Sequence, residues 1–511
     1  MVKRIPVIDL FAGPGGLAEG FSSLVNQFER RFDIKLSIEM DPHARQTLKL
    51  RSFLRNFPFQ SFPPEYYLFL KGELTLESLY KSYPEQHLKA ENEAWMATLG
   101  KTPIGEIDDK ITKALDGAKE WVLIGGPPCQ AYSMAGRSRV GGIKDGDHRV
   151  LLYREYLRII AAHQPSVFVM ENVKGLLSAK VGDDKIFDNI LADLKDPSSI
   201  FPEYKSLGYN VYSLVEEIVK KDADYLIKSE RYGVPQRRHR VILLGVREDI
   251  NKIPSQLLPQ SAVSLKTIID DLPPVRSSVY REHSSTEEIW VNGILKKRRS
   301  YKPLEDSYCL WEKTILKYRT ELSALLPDDE EFFNGLPQSR GSAWQSKPKS
   351  MDQAHPLKDW YSDNRLTGII NHESRGHLTN DLKRYLFSTL FTKKFSRFPR
   401  IDEYKTYGRD LVPDHSNVES GKFNDRFRVQ LPEEVATTVT SHISKDGHYF
   451  IHYDPLQCRS LTVREAARIQ TFPDNYFFCG SRTQQFHQVG NAVPPFLAFQ
   501  ISKVVSKLMH S

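Results

Sequence analysis

An α/β fold is predicted, with a mostly parallel sheet carrying helices on both faces (the Rossmann-like class) and a second, separate domain. Three observations lead there. Short apolar runs recur through the first half of the chain and end in glycine or acidic residues, stretches with apolar positions every three or four residues lie between them, and after Arg247 this rhythm stops.

Taken in order, residues 5–11, 36–38, 122–124, 167–170 and 241–246 read as strands, because runs this short and this apolar suit burial on both faces. Residues 17–28, 41–53, 151–162 and 186–194 carry the helical period and alternate with those strands. From 54 to 101 the text turns aromatic and irregular, which predicts an insertion before the third strand. The expected division is 1–250 for the first domain, 251–480 for a second whose internal fold the sequence does not disclose, and 481–511 for a segment that returns to the first.

The chain has 511 residues and is 40% hydrophobic, enough for substantial cores. Its 71 basic residues against 64 acidic give a net charge of +7, which permits a polyanionic partner without requiring one. The cationic runs are more telling: 296–299 (KKRR), and 393–400, where Phe395 and Phe398 interleave with Lys394 and Arg397, could meet phosphates and bases. Cysteines at 129, 309, 458 and 479 show no paired spacing, so neither a zinc site nor a disulfide framework is expected, and a reducing cytoplasm is. The first apolar run is too brief for a signal or spanning segment, so no membrane is expected either.

Chemistry concentrates in four places. Residues 125–130, GGPPCQ, follow the third strand; prolines stiffen the approach to Cys129, and a thiolate is a far better attacker than any neutral side chain. Alone, the segment also allows an inert buried cysteine. Residues 11–21, FAGPGGLAEGF, set Gly13, Gly15 and Gly16 between a strand and a helix, where glycine lets backbone approach a ligand. Gly13, Gly15 and Ala18 also satisfy the loose dinucleotide fingerprint, so a nicotinamide enzyme stays open at this point. Glu39, after the second strand, is placed to accept ribose hydroxyl protons, which identifies an adenosine nucleoside but not the cofactor carrying it.

Residues 167–173, VFVMENV, bring Glu171 to the carboxyl end of another strand. Open parallel sheets bind ligands there, so Cys129 and Glu171 can face one crevice as nucleophile and proton donor. Residues 232–240, YGVPQRRHR, supply Arg238 and Arg240, which point the same way toward carbonyl or phosphate oxygens if the strand begins early. A plain basic strand end is the other reading.

FAGPGG, GGPPCQ, VMENV, QRRHR, RSLTVREAARIQTFPD at 459–474 and QVGNAVPP at 488–495 together resemble, in order, the motifs of the DNA cytosine-5 methyltransferases. Six motifs in the right order make the resemblance specific. It implies S-adenosylmethionine as methyl donor. It further implies that Phe11 stacks on the adenine, Glu39 binds the ribose, and Met40 flanks the adenine where many relatives use an aromatic. Gly13, Gly15, Gly16, Pro128 and Leu152 would line the donor pocket, with Asn491 and Val493 at its methionine end. Glu106, in GEI, would meet the adenine amino group, where many relatives have aspartate. Cys129 would attack cytosine C6, Glu171 bond to N3, and Arg240 hold O2 with Arg238 in support.

The text from 248 to 450 resembles the family's variable target recognition domain, which carries no transferable residue roles. Residues 131–149, rich in glycine and cations, are expected to close over DNA, and because C6 lies inside the duplex stack the target base must flip out. Arg459, Thr462, Arg464, Glu465 and Arg468 are expected to be scaffold, Arg464 pairing with Glu465 or bracing the two domains. The implied partner is double-stranded DNA, bound by a monomer that methylates it beside a cognate restriction endonuclease; no metal is implied. The alternatives are an RNA cytosine-5 methyltransferase of the transfer-RNA type and a DNA-binding protein without turnover.

Overall fold

The computed structural model describes residues 4–26, 29–128, 148–181, 184–292, 294–326, 333–346, 351–413, 418 and 424–509. Two compact units result, Met1–Val263 with Gln470–Ser511, and Ser264–Ile469. Residues 251–263 and 470–480, expected in the second domain, belong to the first unit. Leu257 packs into that unit's core, and the Tyr476 hydroxyl donates to the Pro14 carbonyl.

The first unit is built on β1 (Ile5–Leu10), α1 (Gly16–Ser22), β2 (Phe32–Glu39), α2 (Pro42–Arg55), β3 (Ala94–Met96), α3 (Ile104–Leu115), β4 (Val122–Gly125), α4 (His148–His163), β5 (Val167–Val173), α5 (Ile186–Lys195), β6 (Tyr209–Tyr212), β7 (Leu226–Lys228) and β8 (His239–Arg247). They form one eight-stranded sheet in the order β6-β8-β5-β4-β1-β2-β3, with β7 also paired to β8. The five strands from β5 to β3 run parallel, and β6, β7 and β8 pair antiparallel.

Strand residues alternate between two cores. Ile8, Leu10, Leu123, Phe168 and Met170 pack with α3, α4 and α5, while Val7, Val122, Ile124, Val167 and Val169 pack on the other face with α1 and the C-terminal helix Pro495–Leu508. Both faces are covered, which is why these strands read as unbroken apolar runs rather than as alternating ones.

Two expectations need correction. α1 ends at Ser22 rather than near 28, because the Ser22 and Ser23 hydroxyls bond back to the Glu19 carbonyl and residues 25–26 pair with 29–30. The 54–101 insertion is not irregular. It holds helices Pro64–Lys71, Leu76–Ser82 and Pro84–Glu93, its aromatics cluster as Phe53, Phe57, Tyr80 and Tyr83, and it ends in β3 at the sheet edge. Aromatic spacing that fits neither a helical nor an alternating period arises because several short helices share that cluster.

The second unit contains β9 (Ser278–Val291) and β10 (Ile294–Pro303), joined at the base of β9 by Gly376–Leu378, and helices Tyr308–Glu321 and Thr379–Phe395. The two helices bury Trp311, Ile315, Leu382, Leu386, Phe387 and Leu390 together. Arg459 and Glu465, each 1% exposed, form a bidentate pair with two 2.7 Å bonds. Glu465 therefore pairs with Arg459, not with Arg464, whose Nε donates to the Ile370 carbonyl at 3.1 Å. The 393–400 run is largely exposed, and two of its cations have partners: Arg397 lies over Phe391 and pairs with Glu403, and Lys394 donates to the Ala324 carbonyl. Among the described residues no helix is long and apolar enough to cross a membrane.

Candidate active site

The carboxyl ends of β1, β2, β4 and β5 are neighbours in the sheet, and the strand order reverses at β1, where open α/β sheets bind ligands. The loop after β1 is held tightly. Phe11 sits at φ 55, a left-handed conformation that costs a non-glycine residue about 1–2 kcal/mol, and Ala12 N donates to the Ile38 carbonyl at 3.1 Å. Gly13 follows at φ +56 with no atom within 4 Å of the place a Cβ would take. Its amide donates to Glu39 Oε2 at 2.7 Å, while Asp41 N donates to Oε1 at 2.8 Å. Burial raises the Glu39 pKa above the ordinary carboxylate range, against the opposing effect of these backbone donors. An open Gly13 beside a half-buried carboxylate fixed on two amides suits a ligand carrying vicinal hydroxyls, so these residues fit an adenosine-bearing donor.

The other glycines serve packing. A Cβ on Gly16 would lie 2.2 Å from the Val493 carbonyl oxygen, and one on Gly15, at φ +95, 2.8 Å from Leu48 Cδ2. Gly16 and Val493 are thus brought together, but as a close backbone contact.

The second cluster lies at the ends of β4, β5 and β8. Arg240 Nε stands 2.7 Å from Glu171 Oε1, and both side chains are mostly buried. The other oxygen, Oε2, is 2.8 Å from where a Cβ on Gly126 would sit. The Glu171 carboxylate therefore rests against the chain three residues ahead of position 129. Asn172, 2% exposed, donates toward the Pro127 carbonyl at 3.4 Å. Cys129 and residues 131–147 lie outside the described residues.

Arg238 and Arg240 take different partners. Arg238 precedes the strand, is 2% exposed, and sends both terminal nitrogens to the Gly490 carbonyl at 3.3 Å. Burial, then the nearby Arg240 charge, lowers its pKa well below the ordinary guanidinium value. Arg238 thereby holds the 488–495 segment. Pro128 and Leu152 are half-buried, Leu152 touching the turn at Gly100. Met40 is 62% exposed, Glu106 lies exposed in the first turn of α3, and Asn491 is exposed with its amide on the His487 ring.

Sequence reasoning missed several supports. Gln470 Nε2 donates to the Val489 and Ala492 carbonyls at 2.8 Å and its oxygen accepts from Gln236, tying two motifs together. Glu19 pairs with Arg51 across α1 and α2 (Nε to Oε2, 2.8 Å); burial pushes its pKa up, but Arg51 outweighs that and holds it below the usual value. Asp9, fully buried in β1, has neither carboxylate oxygen hydrogen-bonded among the described residues, and burial raises its pKa well above normal. An acid inside an otherwise apolar strand was a legible signal for it.

A family profile described as C-5 cytosine-specific DNA methylase matches residues 86–507. The chain is 30% identical, over an alignment of 534 positions covering 99% of each chain, to the type II methyltransferase M.Bpa9945I of Bacillus paralicheniformis. It is 26% identical to the type II methyltransferase M1.HphI of Haemophilus parahaemolyticus, covering 98% of this chain and 86% of that one. It is also 26% identical to the DNA (cytosine-5-)-methyltransferase M.ApeKI of Aeropyrum pernix, covering 77% and 83%.

Proposed function

The chain belongs to the C-5 cytosine-specific DNA methylase family and is a DNA (cytosine-5-)-methyltransferase, and on that premise we propose a mechanism and a setting. It methylates C5 of one specific cytosine in double-stranded DNA, flipped from the helix, as the modification enzyme of a restriction–modification system. The observation that carries this reading is the Glu171 carboxylate, ion-paired with Arg240 and resting on Gly126, immediately ahead of Cys129.

Cytosine C5 is a poor nucleophile within an aromatic ring. The Cys129 thiolate adds to C6, which breaks the aromaticity and gives C5 enamine character. Glu171 bonds to N3, sharing a proton as negative charge develops there, so its contact is strongest in the transition state, where binding energy raises rate. Arg240 braces Glu171 and holds O2. Bound S-adenosylmethionine supplies an electrophilic methyl group, with Glu39 and the Phe11–Gly13 turn holding its adenosine half. C5 would bond to that methyl group as the donor's S–CH3 bond breaks, leaving a neutral thioether; a water would take the C5 proton as the C6–S bond breaks, which would restore the aromatic ring and the Cys129 thiolate. The 264–469 unit reads the DNA sequence in this scheme.

Mapping of methylated bases in genomic DNA after expression in a methylation-free host tests the proposal. It predicts 5-methylcytosine at one recurring sequence, abolished by Cys129→Ser. Methylation of transfer RNA with none in DNA, or transfer that survives Cys129→Ser, would overturn it.

A further inference from the structure

In the Ser264–Ile469 unit, β9 and β10 make a ribbon paired from Arg281 opposite Pro303 to Val291 opposite Ile294. Among the described residues only its base has a third strand, where residues from Ser278 to Arg281 meet Gly376–Leu378. Beyond that, every residue from Tyr280 to Glu288 is exposed, as are Arg298, Arg299 and Ser300, so both faces of the ribbon are bare there. A lone two-stranded ribbon in water is marginal. Among the described residues, the unit's apolar core takes only Val279 from β9 and nothing from β10.

Its chemistry is equally lopsided. From 278 to 303 the sequence places six cations, Arg281, Lys296, Lys297, Arg298, Arg299 and Lys302, against three carboxylates, Glu282, Glu287 and Glu288. At the far end Trp290, 72% exposed, stands opposite Leu295, 48% exposed, so a cross-strand apolar pair crowns the ribbon. The ten residues from 282 to 291 extend about 34 Å, roughly one turn of B-DNA. A two-stranded ribbon is also of a width that the major groove, about 12 Å across, admits. In the other cationic run, 393–400, Arg397 pairs with Glu403 and Lys394 with the Ala324 carbonyl.

We propose that the β9–β10 ribbon is a duplex-DNA arm: it lies along a groove of the bound duplex outside the recognition site, with Arg298 and Arg299 on phosphates and the Trp290–Leu295 pair against base edges and sugars. The inference rests on the DNA substrate of the proposed function and adds the element that grips the flanking helix.

The test uses the full-length protein and two synthetic duplexes centred on the mapped site, one with about two helical turns on either side and one trimmed to the site. Dissociation constants are measured by fluorescence anisotropy across a salt series. Neutralising Arg298 and Arg299 (R298A/R299A) is expected to weaken binding to the long duplex by about 3- to 30-fold near 0.1 M salt. It should also reduce the log–log salt slope by about 1–2, at about 0.9 for each phosphate the variant leaves without a cation. On the trimmed duplex the variant and the parent should converge. Trp290→Ala should weaken long-duplex binding with the salt slope unchanged, because it removes no charge.

The gain-of-charge variant E287K/E288K should tighten binding and steepen the slope, which keeps the test decisive if the neutralised variant misfolds. Equal affinities and slopes for parent and folded variants on the long duplex would overturn the proposal, including the case in which the ribbon instead captures a protein. Failure of the proposed function reads differently: wild-type protein would then transfer no methyl group to either duplex, whatever the binding series gives.

Discussion

Gly126→Ala places one methyl group directly against the Glu171 carboxylate. The new Cβ would stand 2.8 Å from Glu171 Oε2, with the Glu171 Cβ a further neighbour at 3.7 Å. An ordinary carbon contact needs about 3.5 Å, so something must retreat by about 0.7 Å. The carboxylate cannot swing away freely because its other oxygen is ion-paired to the Arg240 guanidinium, 2.7 Å from Nε. If the carboxylate yields, its bond to N3 is mispositioned; if the 125–128 backbone yields, Cys129 moves with it. Either way the nucleophile and the acid change their separation. A misplacement near 1 Å costs about 100-fold in rate, so kcat should fall by about 10- to 100-fold. Single-turnover transfer of labelled methyl at saturating donor and DNA measures this, with thermal unfolding as the folding control. A wild-type rate in a variant of wild-type stability would refute the proposed role of Glu171.

Gly16→Ala should cost about 1–3 kcal/mol in urea unfolding, since its Cβ would fall 2.2 Å from the Val493 carbonyl, and backbone there cannot move without shifting the C-terminal helix; unchanged stability would contradict that packing. Glu39→Gln should weaken S-adenosylmethionine binding by about 10- to 100-fold in calorimetric titration, because an amide nitrogen must then face one of two backbone donors, Gly13 N or Asp41 N. As the Glu39 pKa is raised, donor affinity in the parent should begin to fail, as pH drops, above the ordinary carboxylate range. His372 is buried and its pKa is lowered to about 4, burial being the main cause. Between about pH 6.5 and 4 the unfolded chain binds a proton that the folded chain does not, so stability falls as pH falls, by about 3 kcal/mol once pH 4 is reached. His372→Gln should flatten that slope in urea titrations, and an unaltered slope would contradict the assignment.

How much of this was legible in the sequence depended on whether a feature is local. The strands showed themselves because covering both faces of the sheet forces unbroken apolar runs, and Glu171 and Arg240 because a motif at a strand end fixes where a side chain emerges. Partner choice was not legible. Arg238 and Arg240 are two residues apart, yet one reaches the Gly490 carbonyl and the other Glu171, because the strand begins only at His239. Glu465 selects Arg459 over its neighbour Arg464 because the chain before the helix folds back over it. The β9–β10 ribbon hid for a different reason: with both faces exposed, it has no alternation of apolar and polar residues to announce a strand.

The central claim is a transient bond between the Cys129 sulfur and cytosine C6. Fluorine in place of hydrogen at C5 of the target cytosine blocks the proton loss that releases the enzyme, so methyl transfer should leave protein and DNA covalently joined. Peptide mass spectrometry should then place the linkage on Cys129. A fluorinated target that is bound but yields no donor-dependent covalent species, or one linked through another residue, would contradict the account.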